Sequence, residues 1–125
     1  MSRKPPKDER VRVQHMLDAA KKAQEFLAGR TRDDLDTNDM LALALVRLLE
    51  IIGEAAKNVP PEIQESSPQI PWSLVARTRD RLAHGYFDIN LDRVWEMVTN
   101  DLPPLIKALE AIPLLDDLSN ITSKP

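Results

Sequence analysis

The sequence predicts an all-α fold, an antiparallel four-helix bundle with room for a short additional helix or turn between its second and third helices. Three observations point there. Apolar residues recur at three- and four-residue intervals through most of the 125-residue chain. Prolines and polar runs cut these stretches into four segments joined by short connections, the pattern of a bundle. With three glycines and 4% aromatic residues, the chain is poorly supplied for tight hairpins and pleated surfaces.

The first helix begins near Asp8, where Val13, Leu17, Ala20, Gln24 and Leu27 fall at helical spacing and Arg10, Lys21, Lys22 and Glu25 fill much of the other side. Gly29 stops it, and Thr31 to Asp39 forms a polar connection in which Asp36 or Thr37 can cap the next helix. The second helix spans about Asn38 to Asn58. Leu41, Leu45, Leu48, Ile52 and Ala55 form its stripe, while Leu43, Val46, Leu49 and Ile51 make it apolar around most of its circumference. It is therefore expected at the centre, covered on more than one side.

Pro60 and Pro61 end that helix, because neither can donate to it and each disfavours the α region in its predecessor. A loop is expected to about Ile70, after which Pro71 suits the first turn of a third helix carrying Trp72, Leu74, Val75, Ala76, Leu82 and Ala83 toward His84. Asn90 can cap a fourth helix with Leu91, Val94, Trp95 and Val98 on one stripe. Pro103 and Pro104 should kink or restart it before Leu105, Ile106 and Leu109. Residues 1–7 are expected to be a flexible leader, 8–112 a single domain, and 113–125 a frayed tail.

A chain of this length supports one core, so an active site must be shallow or be completed by another chain. Without cysteine there is no disulfide, iron–sulfur cluster or thiol nucleophile, and His15 and His84 as the only imidazoles leave almost no basis for a zinc site. A carboxylate-held magnesium stays open; the residues assign no metal and no cofactor. The longest apolar run, Met40 to Val46, falls far short of the roughly 20 residues that span a bilayer. No apolar stretch of signal-peptide length follows the basic amino terminus, so a soluble, cytoplasmic protein is expected.

The densest polar constellation runs from Arg77 to Phe87 at the end of the third helix. Asp80 and His84 are i,i+4 neighbours, so the carboxylate can hold an imidazole N–H and fix its tautomer. Arg79 and His84, five apart, diverge by roughly 140° on an ideal helix. Either Gly85 loosens the helix there, or a dyad-related copy brings a second Arg and His to a shared cleft. Arg77 and Arg81, again i,i+4, would flank such a cleft and supply positive charge to a chain whose net charge is −3.

Arg79-x4-His84-x-Tyr86 resembles the signature of HEPN-domain ribonucleases, and specifically of HepT-like toxins paired with a minimal nucleotidyltransferase antitoxin. The similarity extends to Ile51-Ile52-Gly53-Glu54-Ala55-Ala56-Lys57 and Ile70-Pro71-Trp72, covering the chain from the second helix through the fourth. It implies a helical bundle that dimerises with the motifs facing each other, RNA as substrate, and Arg79 and His84 as the catalytic pair of a metal-independent endoribonuclease. The matching position for AMP transfer by the partner antitoxin is Tyr86. Because HEPN domains also serve as non-catalytic modules, the alternative is a binding module that docks a nucleotidyltransferase.

The chemistry suits the residues. An imidazole, with an ordinary pKa near about 6.5, serves in one of the two proton transfers of RNA cleavage. A guanidinium, always charged and forked, suits phosphate oxygens. Plainer readings stand beside these: His84 as a cation at a helix C-terminus, Arg79 and Asp80 as surface ion-pair partners, Tyr86 as an edge of the core. Asp80 is the expected orienting group, with Arg77 and Arg81 as RNA-backbone contacts and Tyr86 as a modification or RNA contact. Glu54 and Lys57 line the cleft, pair with Arg79 or form a plain surface pair, and Gly53 is expected to permit close helix packing. Trp72 and Trp95 read as core or interface anchors, and His15 receives no role.

Overall fold

A computed structural model describes residues 6–82 and 88–112, which form an all-α bundle. Of the segment expected as a flexible leader (1–7), residues 1–5 lie outside the described residues and residues 6 and 7 begin a helix; the tail (113–125), His84, Gly85 and Tyr86 also lie outside the described residues. Helix α1 spans Pro6–Leu27 and α3 spans Asp39–Lys57, with the four-residue α2, Asp34–Thr37, between them. Val13, Met16, Ala20 and Ala23 on α1 are fully buried, as the spacing requires. Gly29 ends the connection's first turn at φ +77°, a conformation costly for a residue with a Cβ.

The cap of α3 is Asn38, whose side chain accepts from the Leu41 amide at 3.0 Å. Asp36 and Thr37 do not cap it because they are inside α2, where Asp34 instead accepts from the Thr31 amide at 2.8 Å. Asn38→Ala is expected to cost about 1 kcal/mol of stability, read as a lower urea midpoint with an unchanged slope.

As expected, α3 is central for most of its length, with Leu45, Leu49 and Ile52 buried against α1, α5, α6 and α7. Near its start one side is open, with Met40 83% and Leu43 66% exposed, while Leu41 and Ala42 are buried. After Pro60, the chain makes a further short helix, α4 (Pro61–Ser66), with proline in its first turn. The Gln64 side-chain amide donates to the Val59 carbonyl at 3.0 Å, folding α4 back on the end of α3.

The third segment is two short helices, α5 (Trp72–Ala76) and α6 (Thr78–Leu82), broken at Arg77. Trp72 is buried and its indole N–H donates to the Ser67 carbonyl at 3.0 Å, which anchors α5. The fourth segment is one continuous rod of α7 (Leu91–Glu96), a π-helical turn (Met97–Asp101) and α8 (Leu102–Glu110). Asn90 caps it by accepting from the Arg93 amide at 3.1 Å.

Pro103 and Pro104 fall in the first turn of α8, where the α-helix restarts after the π turn. They have no N–H for the carbonyls one turn back, and their rings crowd that turn. The wider π turn, closed by the Leu102 amide on the Met97 carbonyl, absorbs both defects. Two ion pairs lash the bundle's rim: Lys21 to Glu110 at 3.0 Å and Arg32 to Asp92 at 2.7 Å. The Asp92 hydrogen bond is the main reason that Arg32 holds its proton even more firmly than an ordinary guanidinium.

Candidate ribonuclease cleft

A polar cleft of about 580 Å³ lies across α3, in the range of roughly 300–1,000 Å³ that holds small ligands. Its floor is a stripe of polar residues on that otherwise apolar helix, Arg47, Glu50, Glu54 and Lys57, spaced by three or four so that they share one face. One wall is α1 with Arg12 and His15, and the other is α5 and α6 with Arg77, Arg79 and Asp80.

Close packing sets the second wall in place. An ideal Cβ at Gly53 would lie 3.1 Å from the Val75 carbonyl oxygen and 3.3 Å from the Thr78 Cβ. A Cβ at this position would force the α5–α6 junction away by a few tenths of an ångström, so glycine favours the close approach to α3 that its place in the sequence leads one to expect. Thr78 is buried and its hydroxyl donates to the Val75 carbonyl, so the polar group at the break is satisfied. Arg79 and Asp80 follow it directly on the exposed side, their side chains without a hydrogen bond or ion pair among the described residues.

The cleft is cationic in an acidic chain. Arg12, Arg47, Lys57, Arg77 and Arg79 set five positive charges against Glu50, Glu54 and Asp80, a local sum of +2 where the chain totals −3. Among the described residues the one ion pair between lining groups is Arg47 to Glu50, at 3.6 Å and largely in solvent. Four cations are thus left facing the cleft, an arrangement that attracts polyanions. No three His, Asp or Glu side chains converge as a metal site among the described residues.

The expected site residues are divided by this geometry. Arg77, Arg79 and Asp80 share the cleft, with Glu54 and Lys57 lining it rather than pairing with each other. Arg81 lies beside a separate, mostly apolar pocket and pairs with Asp101 at 3.4 Å, so Arg77 and Arg81 do not flank one cleft. The reason is that α6 buries Thr78 and Leu82, which sends positions 79 and 81 to different sides. Whether Asp80 reaches His84, and where Tyr86 stands, falls outside the described residues.

Arg12 and His15 were not legible as site residues. A trace was present in their i,i+3 spacing and in the polar stripe of the central helix, but only packing of α1 on α3 makes the two meet.

The family described as Ribonuclease HepT-like matches residues 16–112. The chain belongs to the HepT-like ribonuclease family. The chain is 39% identical over 108 residues to "Putative RNase MJ0127" of Methanocaldococcus jannaschii, covering 86% of this chain and 89% of that protein. It is 37% identical to "Putative RNase TTE0752" of Caldanaerobacter subterraneus, over 85% of this chain and 95% of that protein. Identity to "Probable ribonuclease HepT" of Thermococcus cleftensis is 36%, over 74% of this chain and 84% of that protein. No solved structure gives a significant match. For this HepT-like chain the match covers the floor and the motif-bearing wall of the cleft, and its boundary at residue 16 leaves out Arg12 and His15. No helix among the described residues is long and apolar enough to cross a membrane.

Proposed function

We propose that this HepT-like protein is a metal-independent endoribonuclease toxin that acts in the cytoplasm and is restrained by a nucleotidyltransferase-type antitoxin. The observation that carries the reading is Arg79, which sits unpaired among the described residues on the wall of a cationic cleft in a chain of the ribonuclease family. A base takes the proton from a ribose 2′-OH, the 2′ oxygen attacks the adjacent phosphorus, and the bond to the 5′ oxygen breaks as that oxygen is protonated. The products are a 2′,3′-cyclic phosphate and a 5′-hydroxyl. The Arg79 guanidinium holds the non-bridging oxygens as they gain charge in the phosphorane.

His84 performs one proton transfer, with Asp80 orienting its ring, and the second chain of a homodimer supplies the other His. AMP transfer to Tyr86 by the antitoxin would add phosphate charge to the motif and repel RNA. The experiment is RNA cleavage by the purified protein and its His84→Ala variant in excess chelator, with end-group analysis and intact mass. Cleavage by the parent alone, leaving cyclic phosphate ends, is expected. An unmodified, folded dimer that binds the antitoxin but leaves RNA intact would instead be the non-catalytic docking module.

A further inference from the structure

We infer that Arg12 and His15 on α1 form a second phosphate subsite, which holds the RNA strand several nucleotides away from the phosphate at Arg79. The inference rests on the reading of Arg79 as the group at the scissile phosphate, and it names where the rest of the strand goes. The two α1 residues are one helical turn apart on one face and line the cleft wall opposite Arg79.

Both walls pack on α3, whose polar face lies between Arg79 and the α1 pair. The subsite therefore serves a strand that crosses that face and adds little for the shortest substrate. The ligand chemistry follows from the donors. Arg12 is exposed and His15 is exposed beside it. A guanidinium and an imidazole N–H side by side suit the oxygens of a phosphodiester. Arg47, which stands on the floor between the walls, is held partly by Glu50, leaving the α1 residues as the donors on that side.

The test is binding of a 2′-O-methyl RNA 12-mer, which cannot be cleaved because the attacking oxygen is blocked. Arg12→Ala combined with His15→Gln is expected to weaken it about 10-fold. The plot of log affinity against log salt should become shallower by about 0.7 for each phosphate that is no longer neutralised. Lys107→Ala, a charge removed from α8 outside the cleft lining, should have a much smaller effect. For a cleavable 12-mer, the double variant's loss should fall mainly on KM and exceed its loss for a dinucleoside monophosphate. Equal weakening by Lys107→Ala, or an unchanged affinity and salt slope in a double variant whose helical signal and melting temperature match the parent, would overturn the subsite. A parent that binds the 12-mer but cleaves no RNA would overturn the Arg79 reading alone, because the binding comparison does not depend on turnover.

Discussion

Arg79→Ala is expected to reduce RNA cleavage by about 100- to 1,000-fold, the scale seen when one charged or donor group aimed at a developing oxyanion is removed. His84→Ala should lose about as much, since a positioned proton-transfer group contributes roughly 10²- to 10⁴-fold. The two losses should not multiply, because groups that act as a unit on one transition state are not additive. Neither substitution should unfold the protein: Arg79 is exposed and makes no ion pair among the described residues, and its helix is anchored through Thr78 and Leu82. Arg79→Lys separates charge from geometry. A lysine keeps the charge but lacks the fork that spans two phosphate oxygens, so partial recovery is expected, well short of the parent rate. Arg79→Ala and His84→Ala variants that cleave like the parent would remove both residues from the site.

Gly53→Val should damage stability and activity together. In an ordinary helix, replacing glycine gains up to about 1 kcal/mol. Here the first added carbon already meets the Val75 carbonyl oxygen at 3.1 Å and the Thr78 side chain at 3.3 Å, and a backbone carbonyl cannot swing away as a side-chain tip can. Two further methyl groups must push the α5–α6 junction off α3, an overpacking that typically costs about 1–3 kcal/mol. In a domain of this size that lowers the melting temperature by roughly 5–15 °C. The same shift moves Arg77, Arg79 and Asp80 together relative to the polar stripe of α3. Cleavage at a temperature where the variant remains folded should therefore drop more than stability alone accounts for, read as a lower kcat on a fully helical protein. Gly53→Ala should fall between, because its propensity gain and its contact strain oppose each other. A Val variant with parental melting temperature and rate would show that the close approach is not needed.

Features set by a residue's neighbours along the chain are legible in the amino-acid order itself. Gly29 ends the first helix, Asn90 caps the fourth, and the apolar spacing of α1 and α3 marks the buried stripes, since each depends on interactions within about one turn. The motif around Arg79 pointed to the family on the same local terms. Other features depend on which helix packs against which. The break at Arg77 comes where α5 and α6 both meet α3, so a segment with good helical spacing through Val75 and Leu82 carried no sign of it. Pro103 and Pro104 mark the restart at α8, but the π turn just upstream of it has no sign in the sequence.

The cleft was the least legible feature. Glu54 and Lys57 read as cleft residues or as a surface pair, Arg81 reads as equivalent to Arg77, and His15 receives no role. Sequence determined the helical class, the helix ends and the residues able to handle a phosphate. Tertiary structure alone decided that Arg12 and His15 share a cleft with Arg79 while Arg81 does not. Helical periodicity fixes which side of its own helix a residue occupies, but which sides of separate helices meet is set by close packing of the whole core.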